Sequence, residues 1–131
     1  MRIAAHTIWD HDYVAWGSNT GTSLKIGRDS SPQAPILQFE YTASDNLYFD
    51  LSNIDGAGPA RTGSPFYWEN VKLSPTGNGE GQGTCVKIRC RSGQVCVNAY
   101  QAPEDPNTKA CPLSTGDMWL DLCQPDPQFS N

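Results

Sequence analysis

Long apolar runs are missing from this chain, and so is any sustained helical periodicity. A membrane-crossing helix needs about 20 consecutive apolar residues, so no membrane span is expected and helix is a minor element at best. Positive charge is scarce. Nine Lys and Arg stand against fourteen Asp and Glu, a formal net charge of −5. The nine form no basic stripe, which argues against nucleic acid, because phosphate binding needs clustered cations. Histidine occurs only at His6 and His11, with no Ser or Cys pattern of a nucleophile motif beside either. His6, Asp10, His11 and Asp12 could in principle collect a metal, but nothing fixes their geometry, and neither metal nor cofactor is expected. A C-x-x-C pair is absent, which removes redox chemistry, and there is no N-x-[ST] sequon for N-glycosylation. The stretch Met1–Tyr13 has no apolar core of the kind that marks a signal peptide, and the chain is read as lacking one.

What is present is punctuation. Twelve glycines and ten prolines break 131 residues into short segments, which suits one all-β domain with turns. Thr22–Ile26 alternates and reads as a short strand; Ile36–Thr42 is rich in β-branched and aromatic residues and reads as another. Leu47–Ile54 is the clearest, with Leu47, Phe49 and Leu51 on one face and Tyr48, Asp50 and Ser52 on the other. Further strands are expected near Phe66–Leu73 and at Cys85–Cys90, Val95–Ala99 and Met118–Cys123. Glycine-rich loops are expected up to Pro65 and at Ser74–Gly83, and Gln124–Asn131 reads as a loose tail. The domain is placed at 22–125, between a weakly patterned segment, 1–21, and a tail, 126–131.

Five cysteines, Cys85, Cys90, Cys96, Cys111 and Cys123, crowd the last third. That density reads as a disulfide framework from an oxidising compartment, and the wide gaps do not suit zinc. Five thiols cannot pair completely within one chain. Two bonds among four cysteines allow three pairings, and spacing does not choose among them.

Two segments together resemble the thaumatin-like superfamily. One is LQFEYTASDNLYFDLSNIDG, Leu37–Gly56, in which Asp50-Leu51-Ser52-Asn53-Ile54-Asp55-Gly56 fills that family's strand-and-loop motif. The other is the cysteine frame: GTCVKIRC, Gly83–Cys90, then Cys96–Tyr100, then Cys111-Pro112 and Cys123-Gln124-Pro125. The nearest branch is the short fungal antigenic, or yeast-phase-specific, group. The family's large insertion would fall between Cys90 and Cys96, where only five residues stand, and its N-terminal cysteine hairpin has no match in residues 1–16. The resemblance implies a small disulfide-stapled antiparallel β-sandwich of thaumatin-like type. It implies bonds Cys85–Cys111 and Cys90–Cys96, and leaves Cys123 a free thiol that could link two chains. In the loop-closure picture these bonds are worth roughly 3.5 and 2 kcal/mol.

The resemblance also implies an acidic cleft, with Gln38 at the family's glutamate position and Asp50 and Asp55 at two aspartate positions. Glu40 shares a strand face with Gln38 and could partly substitute for it. An amide at 38 cannot serve as a catalytic acid. No catalytic residue is therefore assigned, and ligand binding through Gln38, Glu40, Asp50 and Asp55 is the expected use. The plainer alternative is that Asp50 bonds a neighbouring loop and Asp55 fits an Asp-Gly turn. Trp68, beside Glu69 and Asn70, is the aromatic to test for sugar stacking, against packing in the core. The function expected is that of a non-catalytic, secreted or cell-wall-associated fungal protein binding polysaccharide, such as β-glucan, or a host component. The alternatives are a weak endo-β-1,3-glucanase and a protein-binding effector or inhibitor.

Overall fold

The computed structural model describes residues 6–13, 21–56 and 64–130. The expected loop at 57–63 and the segment 14–20 lie outside the described residues. Among the described residues there are seven strands: β1 (Thr22–Gly27), β2 (Ile36–Ala43), β3 (Leu47–Ser52), β4 (Val71–Gly77), β5 (Ile88–Cys90), β6 (Lys109–Cys111) and β7 (Thr115–Asp121). A short helix, α1 (Asp126–Phe129), follows. The strands form two antiparallel sheets, ordered β1-β2-β3-β6 and β5-β4-β7.

Alternation decides which residues meet. Leu37, Phe39 and Tyr41 of β2 and Leu47, Phe49 and Leu51 of β3 turn to one side of the first sheet and are buried. Val71, Leu73 and Ile88 of the second sheet join them in a single core, with Met118 and Leu120 packed against it. Two apolar sheet faces closing on each other in this way make a β-sandwich. Two disulfides are present. Cys85–Cys111 joins the approach to β5 to β6 and so staples one sheet to the other, while Cys90–Cys96 closes a tight loop after β5.

Several elements differ from the sequence reading. Phe66 is buried from turns, not from a strand: Tyr67 N–H bonds Ser64 O and Glu69 N–H bonds Phe66 O, and pairing starts only at Val71. Pairing then runs into the expected loop, because Pro75, which has no N–H, sits opposite Met118 at a register shift that tolerates it. The strand expected at Cys85–Cys90 is confined to its last three residues, and Val95–Ala99 forms turns inside and after the Cys90–Cys96 loop, with Val95 and Val97 exposed. The expected strand Met118–Cys123 begins earlier and ends earlier, at Thr115 and Asp121.

The tail is docked. Phe129 is 2% exposed. Lys72 Nζ donates to Gln128 O at 2.6 Å and Arg89 Nε to Phe129 O at 3.2 Å, while Asn70 Nδ2 donates to Gln124 O and Asp126 Oδ1. These side chains come from β4, β5 and the turn before β4, so α1 lies over the outer side of the second sheet.

Candidate functional site

The inner face of the first sheet is spent on the core, and its outer face is polar. On β2 and β3 that outer row is Gln38, Glu40 and Thr42 beside Tyr48, Asp50 and Ser52. The register sets Glu40 directly opposite Asp50 and Gln38 directly opposite Ser52, and Ser23 of β1 stands opposite Glu40 on the other side. All four residues expected to form a cleft therefore lie on or beside one sheet face, Glu40 directly opposed to Asp50 and Gln38 hydrogen-bonded to Asp55. Gln38 Nε2 donates to Asp55 Oδ2 at 3.1 Å and its Oε1 accepts from Ser23 Oγ at 2.9 Å, so the amide is occupied. Asp55 sits exposed in the turn after β3, its carbonyl accepting Ile36 N–H at 3.0 Å.

Glu40 and Asp50 face each other across the two strands. Burial, the hydrogen bond with Glu40 and the charge of Glu40, in that order, push the Asp50 carboxyl up to about 8. Its Oδ1 is sealed from solvent and has no hydrogen-bond partner. Together they lie in an open cleft of about 390 Å³, lined also by Gly21, Thr22, Ser23, Tyr41, Thr42, Tyr48, Phe49 and Thr108. Thr108 reaches it from the loop before β6, where its Oγ1 shares a 2.7 Å hydrogen bond with Tyr100 Oη. Sequence reasoning missed the hydroxyl rim. Ser23 and Thr42 could have been found from their place on the polar face, but nothing marks Thr108, which arrives through a turn.

Trp68 is apart from this cleft. It is 75% exposed, not packed in the core, with its ring edge against Tyr67 at 4.8 Å between centroids. Cys123 is free and exposed just past β7, in a left-handed backbone conformation at φ 57°. Burial of the sulfur, and then the charge of Glu69, raise its thiol; Arg28, paired to Glu69 at 3.1 Å, acts the other way. No group of three or more metal-ligating side chains occurs among the described residues. Among them, too, no helix is long and apolar enough to cross a membrane.

Comparison with known proteins places these features in context. The family described as the Blastomyces yeast-phase-specific protein matches residues 2–124. A secreted thaumatin-like protein of Emericella nidulans, calA, is 36% identical over 96 residues, covering 72% of this chain and 50% of that protein. An antigenic thaumatin-like protein of Arthroderma benhamiae is 33% identical over 114 residues, 85% of this chain and 51% of that protein. The chain thus spans about half the length of the curated relatives it matches. No solved structure gives a significant match.

Proposed function

We infer the function from one premise: the chain belongs to the yeast-phase-specific family, within the fungal thaumatin-like proteins. The reading is a secreted, non-catalytic protein, associated with the fungal surface or wall, that binds a polysaccharide such as β-glucan through the Glu40–Asp50 cleft. The observation that carries it is the register that sets the two carboxyls directly opposite each other on one sheet face. Glycoside hydrolysis places a sugar between two carboxyls about 5–9 Å apart. Here Glu40 stands close enough to Asp50 to raise its carboxyl, and the next acid, Asp55, is held by Gln38. What the cleft offers is a carboxyl pair with Ser23, Thr42, Tyr48 and Thr108 among its lining residues, hydroxyl side chains suited to hydrogen-bonding a polyol. The name of the Emericella relative and the two disulfides support secretion.

The test is retention of the protein on insoluble β-1,3-glucan, with laminarin hydrolysis measured in parallel. Retention without hydrolysis, reduced at least fivefold by Asp50→Ala, is expected. Release of reducing sugar that Asp50→Ala abolishes would make the chain a glucanase. Retention on host extracts and not on glucan would point to a protein or host ligand.

A further inference from the structure

A cation buried on the outer face of a sheet needs a cover, and Lys72 has one. Its neighbours Val71 and Leu73 point into the core, so Lys72 points away from it, yet the residue is only 6% exposed. The cover is α1, which lies past residue 124, where the family match ends. Lys72 and Arg89, opposed in the β4–β5 register, make a cationic face with Arg91 just beyond. The tail answers with complementary chemistry. Lys72 Nζ and Arg89 Nε donate to the last carbonyls of α1, the end of a helix that favours cations. Arg91 Cζ lies 4.9 Å from the centre of the Phe129 ring, and its guanidinium is 3.9 Å from Asp126 Oδ1. Asn70 Nδ2 reaches that same oxygen at 2.6 Å.

The link between β7 and α1 is short and costly. Only Leu122–Pro125 separate the two elements. Cys123 takes a left-handed φ of 57°, unfavourable for any residue but glycine. Gln124 Oε1 is sealed from solvent with no hydrogen-bond partner. Straightening the link removes the left-handed turn and returns the Gln124 side chain to water. It also gives up the bonds between the Gln124 backbone and Asn70, which water replaces. The contacts of α1 itself are unchanged when the face that receives it belongs to another chain. A short, strained link of this kind favours exchange of a terminal element between copies. We propose that the cationic outer face of the second sheet is a docking site for α1 of a second copy, so that two chains trade Asp126–Phe129.

Fit identifies the occupant. The acid, the aromatic ring and the helix-terminal carbonyls of the tail each meet a matching group on the face, and a second copy brings that whole set. A linear polyanion supplies charge but nothing for the space that Phe129 fills. An apolar segment supplies the ring but no acid for Asn70 and Arg91. The exchange is non-covalent, so it is separate from a Cys123 disulfide and does not survive a denaturing gel. It is also independent of what the first sheet binds.

Light scattering on the whole chain carrying Cys123→Ser, which removes the thiol and keeps the left-handed turn, tests the exchange. Dimer should appear as the chain is concentrated toward the millimolar range, and adding Phe129→Ala should abolish it. Cys123→Gly, which relieves the turn, should weaken the dimer at least fivefold relative to Cys123→Ser. Mixing separates exchange from any other pairing. Phe129→Ala spoils the tail and keeps the face, whereas Lys72→Glu turns the donor to Gln128 into an acceptor and keeps the tail. In the Cys123→Ser background each should be monomeric alone, and the two should dimerise when mixed. A Cys123→Ser chain that stays monomeric at every concentration, or a dimer that survives Phe129→Ala, would overturn the proposal. Should either disabled variant fail to fold, the glycine comparison decides alone, and equal dimer fractions for Cys123→Gly and Cys123→Ser overturn it.

Discussion

Burial and Glu40 hold Asp50 protonated well above the ordinary carboxylate range, and this couples one side chain to the stability of the fold. Because the folded state binds the proton more tightly than the unfolded chain, the contribution is complete below about pH 4. It shrinks as pH rises and is gone above about 8. Asp50→Asn should therefore flatten the fall in urea midpoint between pH 5 and pH 9; an unchanged slope would mean that Asp50 titrates as an ordinary carboxyl. Phe129 gives a second test. Replacing a buried Phe by Ala costs about 3–5 kcal/mol, whereas a change in a loose tail stays within about 0.5 kcal/mol, so urea unfolding of Phe129→Ala distinguishes the two. At this scale the sequence was informative where alternation operates: Gln38, Glu40 and Asp50 fall on the polar face that period two assigns them. It misread the segment carrying Phe129 as a loose tail, because one short helix shows no period, and it was silent on Thr108, which arrives through a turn.

Strands are legible when they are long enough to repeat. β2 and β3 each show a full alternating set and lie within a residue or two of their expected limits. β6 has three residues, too few for a pattern, and β4 runs through Pro75 and up to Gly77, residues that ordinarily mark a loop. The glycines after β4 divide by surroundings. Both Gly79 and Gly81 have φ near +86°, but a Cβ on Gly79 would come within 2.5 Å of Pro112 Cδ, while Gly81 faces open space. Gly81→Ala should cost about 1–2 kcal/mol from the left-handed backbone alone. Gly79→Ala should cost distinctly more, and equal melting temperatures for the two variants would show that Pro112 yields. The disulfides should rank by the loops they close. Replacing Cys85 and Cys111 by Ala is expected to cost about 3.5 kcal/mol and replacing Cys90 and Cys96 about 2 kcal/mol, read from urea unfolding. Here the residues alone left three pairings open, and only the resemblance chose among them.

For the molecule as a whole, the two-sheet fold and the family were both readable, because strand alternation and cysteine order survive even where loops do not. Cys123 bears on how whole chains meet. Thiol titration of the denatured, unreduced protein should give one free thiol per chain. Since burial and Glu69 raise that thiol, little thiolate exists at neutral pH, and an oxidised dimer should form faster at pH 9 than at pH 7. Cys123→Ser should remain monomeric on non-reducing gels under the same treatment; a dimer in that variant would place the linkage elsewhere.

The placement of the cysteines also sets an order in time. Within this sequence β1, β2 and β3 all come before Cys85, the first of the five cysteines given. Those three strands pair with sequence neighbours across short connections, the contacts that form fastest. β6 must instead return to Leu47 from far along the chain, bringing Cys111 to Cys85 as it arrives. The Cys85–Cys111 bond thus fastens the fourth strand of the first sheet to a domain whose other three strands of that sheet stand earlier in the sequence.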